Sequence, residues 1–281
     1  MIQKLSTKDH SRDVVNLTYV YPVISRRAGG LSIGINVNTN NACNWRCVYC
    51  QVPELVRGSA PEIDRGLLEK ELRLFLEQVL FGDFYEKFNI PQKQRVIKDI
   101  SISGNGEPTS VEGLDKVIEL VGGVATEYKV LPGCDFVLIT NGSLMHKQGV
   151  RAGLRVLNKF NGKVWFKLDS ATNEGRKKIN DSSQSTEKIL KNLIVSTELC
   201  KTSLQTCLLQ YLYKEEVDRE LDAYVGFLKE NQIKLQKIML YTIARPSLQP
   251  EADLISPVSE SVMNRFSSEL RKLGYDVSVS M

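Results

Sequence analysis

Histidine, tryptophan and long apolar runs are all scarce in this 281-residue chain, and each scarcity narrows the reading. His10 and His146 are its only histidines, so a metal site built chiefly from imidazoles is excluded. The longest apolar stretches, such as Phe136 to Ile139, fall far short of the roughly 20 residues that span a bilayer. The first ten residues are polar and charged and carry no apolar segment of a secretion signal. The expected location is therefore the cytoplasm, with no membrane partner. Internal repeats and low-complexity tracts are absent too.

What remains has the balance of a soluble globular protein, 42% hydrophobic and 25% charged, and enough length to bury a sizeable core. A net charge of +4 is too small to argue for nucleic acid by itself. The charge is uneven, however. Arg26, Arg27, Arg46 and Arg57 flank a group of cysteines, and Asp13 is the only acid between Arg12 and Glu54. A bound anion and a solvated basic surface both fit that pattern.

Short runs rich in Ile, Val, Leu and Phe alternate with longer helical patterns. Strands are expected at Leu31–Val37, Val96–Ser103, Asp135–Thr140, Lys163–Leu168, Ser203–Leu209 and Leu235–Ile243. Helices are expected at Asp64–Phe81, Val111–Val121, Lys147–Leu157, Thr186–Cys200, Lys214–Asn231 and Pro257–Leu273, with a closing strand at Tyr275–Ser280. The first helix sets Leu68, Leu72, Leu76 and Leu80 behind Asp64 as its N-cap. Alternation of this kind implies a parallel sheet with helical crossovers, either an open doubly wound sheet or an incomplete barrel. Polar residues follow nearly every strand: the Cys43 loop, Asn105 and Glu107, Asn141, Asp169, Gln210 and Arg245. Ligand groups after all six strands favour the barrel, whose strand ends converge on one face. The fold class is thus α/β, a partial (β/α)6 TIM-like barrel of parallel strands with a C-terminal helix and short strand. Residues 1–281 read as one domain, with a core over 28–245 and extensions at 1–27 and 246–281.

The chemistry is concentrated in Cys43-Asn44-Trp45-Arg46-Cys47-Val48-Tyr49-Cys50. Thiolates suit iron–sulfur clusters and zinc. A structural zinc site wants four ligands, and only three are local. A fourth would have to come from Cys134, Cys200, Cys207 or a histidine, all distant in sequence. On a cubane cluster, three cysteines leave one iron open to a small chelating molecule. Cys134, Cys200 and Cys207 match no second cluster motif and read as buried structural thiols; Trp45 and Trp165 read as packing.

The Cys-x3-Cys-x2-Cys spacing with Tyr49 before the last cysteine resembles the signature of radical S-adenosylmethionine enzymes. The run Ser25 to Asn36, followed by the cysteines and Gln51, is similar to an iron–sulfur oxidoreductase subgroup related to the enzyme that builds the tricyclic wyosine base in tRNA. Asn105-Gly106-Glu107-Pro108 resembles the superfamily's Gly-Gly-Glu-Pro motif, with Asn105 in place of the first glycine. The relatives carry additional cysteines upstream, and this chain has none before Cys43.

The resemblance implies a [4Fe–4S] cluster on Cys43, Cys47 and Cys50 and S-adenosylmethionine as the second cofactor. Reductive cleavage would yield a 5′-deoxyadenosyl radical that abstracts hydrogen from a substrate. Asn105, Gly106, Glu107 and Pro108 would hold the methionine end, Glu107 facing its ammonium. Backbone near Tyr49 would meet the adenine. Asn141 and Asp169 are candidates for ribose or carboxylate contacts, and Arg245 for a carboxylate or phosphate. Loops 51–63 and 82–95 would shape the mouth. The implied partners are an electron donor of flavodoxin or ferredoxin type and a substrate that is a small molecule or tRNA. Two other readings compete: an activase of glycyl-radical enzymes, and a zinc-stabilised binding module without enzymatic activity.

Overall fold

The computed structural model describes residues 15–25, 29–211 and 214–281. Its strands are β1 (Val20–Ser25), β2 (Gly30–Asn36), β3 (Ala42–Cys43), β4 (Val56–Arg57), β5 (Ile97–Ser103), β6 (Asp135–Thr140), β7 (Lys163–Lys167), β8 (Lys201–Tyr211), β9 (Ile238–Thr242), β10 (Ile255–Pro257) and β11 (Val277–Ser280). Its helices are α1 (Arg65–Leu80), α2 (Phe84–Lys87), α3 (Leu114–Glu127), α4 (Gln148–Lys159), α5 (Asn173–Asn180), α6 (Thr186–Leu199), α7 (Lys214–Asn231) and α8 (Glu260–Lys272).

One sheet runs in the order β1-β2-β5-β6-β7-β8-β9-β11, with β10 added to β8. From β2 to β11 every neighbouring pair is parallel; β1 and β10 join antiparallel. This curled, mostly parallel sheet is a half-barrel, consistent with a partial TIM-like barrel. Its two end strands, β1 and β11, do not pair with each other among the described residues.

Alternation along the strands makes the sheet's two faces unlike. Ile33, Ile35, Ile100, Ile102, Phe136, Leu138, Val164, Phe166, Leu204 and Leu240 are fully buried in the core. Helices cover this face: α1 contributes Leu68, Leu72, Phe75, Leu76 and Val79 behind Asp64, whose side chain accepts from Leu67 N at 2.9 Å. Leu80, the last leucine of the expected stripe, is exposed at the helix end. The alternate residues line the concave face and are mostly polar, which is unlike the branched aliphatic layers of a closed barrel.

Several elements depart from the sequence expectation. β1 falls in what reads as an N-terminal extension and pairs with β2, and β11 extends the sheet beside β9. Pro257 lies in edge strand β10, and α8 begins after Ser259, whose side chain accepts from Val262 N. Residues 108–110 form a 3-10 turn, and α3 starts only after Gly113, at φ +68°, then runs on to Glu127 because Val124 and Ala125 continue its buried face. α5 is short and polar and offers no apolar stripe to read. Residues 82–95 precede β5 and so lie at the amino ends of the strands, opposite the mouth they were expected to shape.

Glu71 of α1 is buried and accepts from Thr18 N at 2.8 Å and Tyr19 N at 2.7 Å, anchoring the segment that enters β1. Glu71→Ala leaves both amides without that acceptor, at a cost of about 1–3 kcal/mol. The expected fall in Tm is on the order of 2–10 °C for a chain of this size. A thermal melt followed by circular dichroism checks it; an unchanged midpoint rejects the anchoring role.

Candidate active site

The cysteine loop leaves β2 at its carboxyl end and is held from three sides. Its own first residues form β3, paired in parallel with β4. Arg46 N and Val48 N donate to the carbonyls of Asn180 (3.0 Å) and Ile179 (2.8 Å), at the end of α5. The segment after β9 closes the third side. Ser247 Oγ donates to the carbonyl of Val48 (2.7 Å), Leu248 N to that of Cys50 (2.9 Å), and Gln249 Nε2 to that of Val52 (3.3 Å). Within the loop, Cys50 N closes a turn onto the Cys47 carbonyl at 2.9 Å. Trp45 is buried and packs into the core, as expected.

All three thiols are half-buried. Trp45 N–H donates to Cys43 Sγ (3.4 Å) and Asn180 Nδ2 to Cys47 Sγ (3.2 Å), contacts that favour sulfur in its thiolate form. Without a metal, burial pushes the Cys43 and Cys47 thiols up to about 12. Binding iron would therefore displace protons from them.

The turn after β5 docks against this loop. An added Cβ on Gly106 would lie 1.8 Å from the Ala42 carbonyl oxygen, so only glycine permits the approach. Asn105 N donates to Asn36 Oδ1 (3.0 Å) and Asn105 Nδ2 to Asn41 Oδ1 (2.6 Å). Glu107 lies differently from expectation. Its carboxylate is buried and accepts from Thr109 N (3.0 Å), Thr109 Oγ1 (2.5 Å), Thr140 Oγ1 (2.5 Å) and Asn141 N (2.7 Å). Four protein donors already surround it, and it ties the turns after β5 and β6 together. Burial pushes the Glu107 carboxyl above the usual carboxylate range, and those hydrogen bonds oppose the rise. Pro108 is buried at the start of the 3-10 turn that Glu107 caps.

Asn141 links the same turns to the cysteines, donating from Nδ2 to Asn44 Oδ1 at 2.8 Å; Asn44 Nδ2 in turn donates to Ser143 Oγ at 2.7 Å. Asp169, after β7, is buried at the centre of a second network. It accepts from Asn180 Nδ2 (2.8 Å), from Cys207 N (2.9 Å) and from the Tyr49 hydroxyl. The Asn180 side-chain nitrogen thus connects a cysteine sulfur to the carboxylate. Tyr49 joins the site through its phenol, where the sequence pointed to its backbone. Asp169 also lines a cavity of about 290 Å³ between α5, α7 and the end of β8, shared with Gly175, Cys207, Glu220 and Tyr224.

Of the four arginines around the cysteines, the two among the described residues are both ion-paired. Arg46 pairs with Glu251 through two bonds of 2.7 and 2.8 Å, and Arg57 pairs with Asp181. Arg26 and Arg27 lie outside the described residues. Arg245 is half-buried in the segment after β9. Gln210 is exposed within β8, opposite Ser256 of β10, where a strand end was expected.

Sequence reasoning missed Asn44, Lys167, Asn180 and Ser247. Asn180 and Ser247 meet the loop only through folding. Lys167 was legible as a charged residue at a strand end. Its Nζ donates to Tyr241 Oη at 3.0 Å and lies 5.0 Å from the Tyr49 ring centre. Burial opposes its charge, and Tyr241, Asp169 and Cys47 shift it upward on balance.

Among the described residues no three His, Cys, Asp or Glu side chains are grouped to hold a single metal ion. Cys134 and Cys200 stand just before β6 and β8, at the amino ends of the strands, and are remote from the loop. Cys207 is buried against Val48 and Leu209. Soft sulfur donors served by N–H groups, beside glycines that admit close approach, fit an iron–sulfur cluster with an open iron.

Solved structures share this architecture. A radical SAM methyltransferase from Sphaerobacter thermophilus superposes with a TM-score of 0.62 at 12% identity, over 93% of this chain and 68% of that one. TYW1 with a lysine-pyruvate adduct bound gives 0.55 at 17% identity, over 86% and 73%. Residues 37–228 match the model of the Radical SAM superfamily, and the chain belongs to that superfamily, whose enzymes use a [4Fe–4S] cluster and S-adenosylmethionine. Among curated proteins it is 27% identical over 249 residues to UPF0026 protein MJ1312 of Methanocaldococcus jannaschii, covering 87% of this chain and 68% of that protein. It is 26% identical over 239 residues to a protein named GTPase Obg in Brachyspira hyodysenteriae, covering 84% of this chain but only 31% of that relative. It spans 54% of a further relative, UPF0026 protein slr1464 of Synechocystis.

Proposed function

We propose that this chain cleaves S-adenosylmethionine reductively, with a [4Fe–4S] cluster held by Cys43, Cys47 and Cys50. Bound together, cluster and cofactor supply a 5′-deoxyadenosyl radical for hydrogen abstraction from a substrate. The observation that carries this reading is the set of three half-buried thiols on one loop at the carboxyl ends of the strands, two of them receiving N–H donors.

The chain's own residues divide the remaining work. Asn180 and the Trp45 amide donate to sulfur. Asn105 and Gly106 present the backbone of their turn beside the loop, and this backbone receives the methionine end. Glu107 and Asn141 keep that turn in register with the next one. Asp169 fixes Tyr49 and faces the cavity of about 290 Å³, which suits the nucleoside end. Arg245, at the same rim, meets an anionic group. The electron comes from a flavodoxin- or ferredoxin-type donor in the cytoplasm. No helix among the described residues is long and apolar enough to cross a membrane.

Anaerobic reconstitution followed by dithionite and S-adenosylmethionine tests the proposal. About four iron and four sulfide per chain are expected, together with 5′-deoxyadenosine. One zinc without sulfide, or a loaded cluster that never forms the nucleoside, would refute it.

A further inference from the structure

The concave face holds a group of side chains, Lys167 among them, to which the proposed reaction assigns no role. On β7 and β8, Trp165 is registered opposite Ser203, and Lys167 opposite Gln205. Their strand neighbours establish the direction. Val164, Phe166 and Leu204 are buried in the helix-covered core, Thr202 bonds Ser196 of α6, and Thr206 bonds Tyr224 of α7. The alternate residues Trp165, Lys167, Ser203 and Gln205 therefore share the opposite, concave face.

These four residues are short of partners. Gln205 is 4% exposed and Ser203 5% exposed, yet neither side chain makes a hydrogen bond to any described residue. The Trp165 indole N–H makes none either, and its ring is half-buried. Lys167 Nζ makes a single hydrogen bond, to Tyr241, and no ion pair among the described residues. Buried polar groups in folded proteins are almost always satisfied. The Gln205 carboxamide and the Ser203 hydroxyl sit on residues nine-tenths buried but are not sealed from solvent, as Asn38 Oδ1, Asn180 Oδ1 and Gln184 Oε1 are, so they open into the concavity and can take a polar guest. The opposite side of the trough is occupied differently: the Tyr21 ring lies over Gly34 and its hydroxyl meets Ser103 at 2.8 Å. Ser101 of β5, 6% exposed on the same face, likewise makes no side-chain hydrogen bond among the described residues, so the unpaired polar lining includes β5 but is densest on β7 and β8, below Asp169 and Cys207.

We propose that Trp165, Lys167, Ser203 and Gln205 form the substrate-recognition patch, and that the substrate is a flat heterocycle bearing an anionic group. This rests on the reading of the chain as a radical enzyme. The indole offers a stacking surface for a planar ring. The carboxamide of Gln205 offers a donor and an acceptor side by side, matching the edge of a heterocycle. Lys167 supplies a cation for a carboxylate or phosphate. Because Lys167 and Asp169 are two residues apart at the end of β7, a ring held here lies beneath the cofactor site.

The test is a calorimetric titration of the anaerobically loaded protein, with S-adenosylmethionine present, using orotate and guanosine 5′-monophosphate as probes. The first carries a carboxylate and the second a phosphate, so the two arms identify the anion. Saturable binding of at least one is expected, with quenching of Trp165 emission that disappears in Trp165→Leu. Gln205→Leu and Ser203→Ala should each weaken binding about tenfold or more, at unchanged melting temperature. Uracil, which lacks the anion, should bind the wild type about as weakly as either probe binds Lys167→Met. No saturable binding by either probe, or equal affinity in wild type and Gln205→Leu, overturns the proposal. The titration is repeated on the full chain without iron. Binding there, with no nucleoside formed by the loaded protein, would sustain the patch and sink the radical reading; the reverse result would do the opposite.

Discussion

Cys47→Ala is expected to leave the chain folded and strip it of iron. The residue is half-buried and its sulfur makes one hydrogen bond, from an amide that also donates to Asp169. Loss of the thiol removes little packing, so the stability change should stay within about 1 kcal/mol. Removing one of three cluster ligands is a different matter, because the cluster then has two bare corners. Reconstituted Cys47→Ala should lack the broad iron–sulfur absorption and form no 5′-deoxyadenosine. Cys207→Ala is the matched control. That thiol is buried beside the same loop, against Val48, but belongs to no ligand motif. It should keep its iron. An undiminished absorption band in Cys47→Ala would rule out the ligand assignment.

Gly106→Ala should be nearly as damaging, by geometry alone. The new methyl group would sit 1.8 Å from the carbonyl oxygen of Ala42, the residue before Cys43. That carbonyl cannot easily retreat, since it accepts from Asn38 Nδ2 at 3.0 Å and lies in the short β3–β4 pairing. Relief must come from moving the cysteine loop or the turn after β5. Overpacking of this kind costs about 1–3 kcal/mol. A displacement of about 1 Å between reacting groups costs on the order of 100-fold in rate. Cofactor cleavage should therefore fall by about two orders of magnitude while Tm falls by on the order of 2–10 °C. The same change at Gly123, within α3, meets nothing within 4 Å and should stabilise the chain by about 0.4–1 kcal/mol. Full activity in Gly106→Ala would show that the close approach is dispensable.

Glu107 shows how the fold gives a motif residue partners that its local spacing does not name. The sequence placed a carboxylate where an ammonium group would arrive. In the fold that carboxylate faces Thr109, Thr140 and Asn141, because β6 lies beside β5 and delivers Thr140 and Asn141 to it. Arg46 and Arg57 also meet partners that local sequence does not name. Their counter-charges, Glu251 and Asp181, stand 205 and 124 residues away in sequence, beyond the reach of a local count of acids.

The sequence alone determined the cysteine triad, the strand–helix alternation and the turns that end the strands. Each is written in spacing over a few residues, and local spacing is enough to specify a loop, a period or a cap. Only the tertiary structure decided what those turns touch. Parallel strands far apart in the chain are laid side by side in a fixed register, and register chooses which side chains meet. It brought Asn180 to Cys47, Asp169 to Tyr49 and Ser247 beneath the loop. It also set Trp165 and Lys167 beside Ser203 and Gln205 on the concave wall.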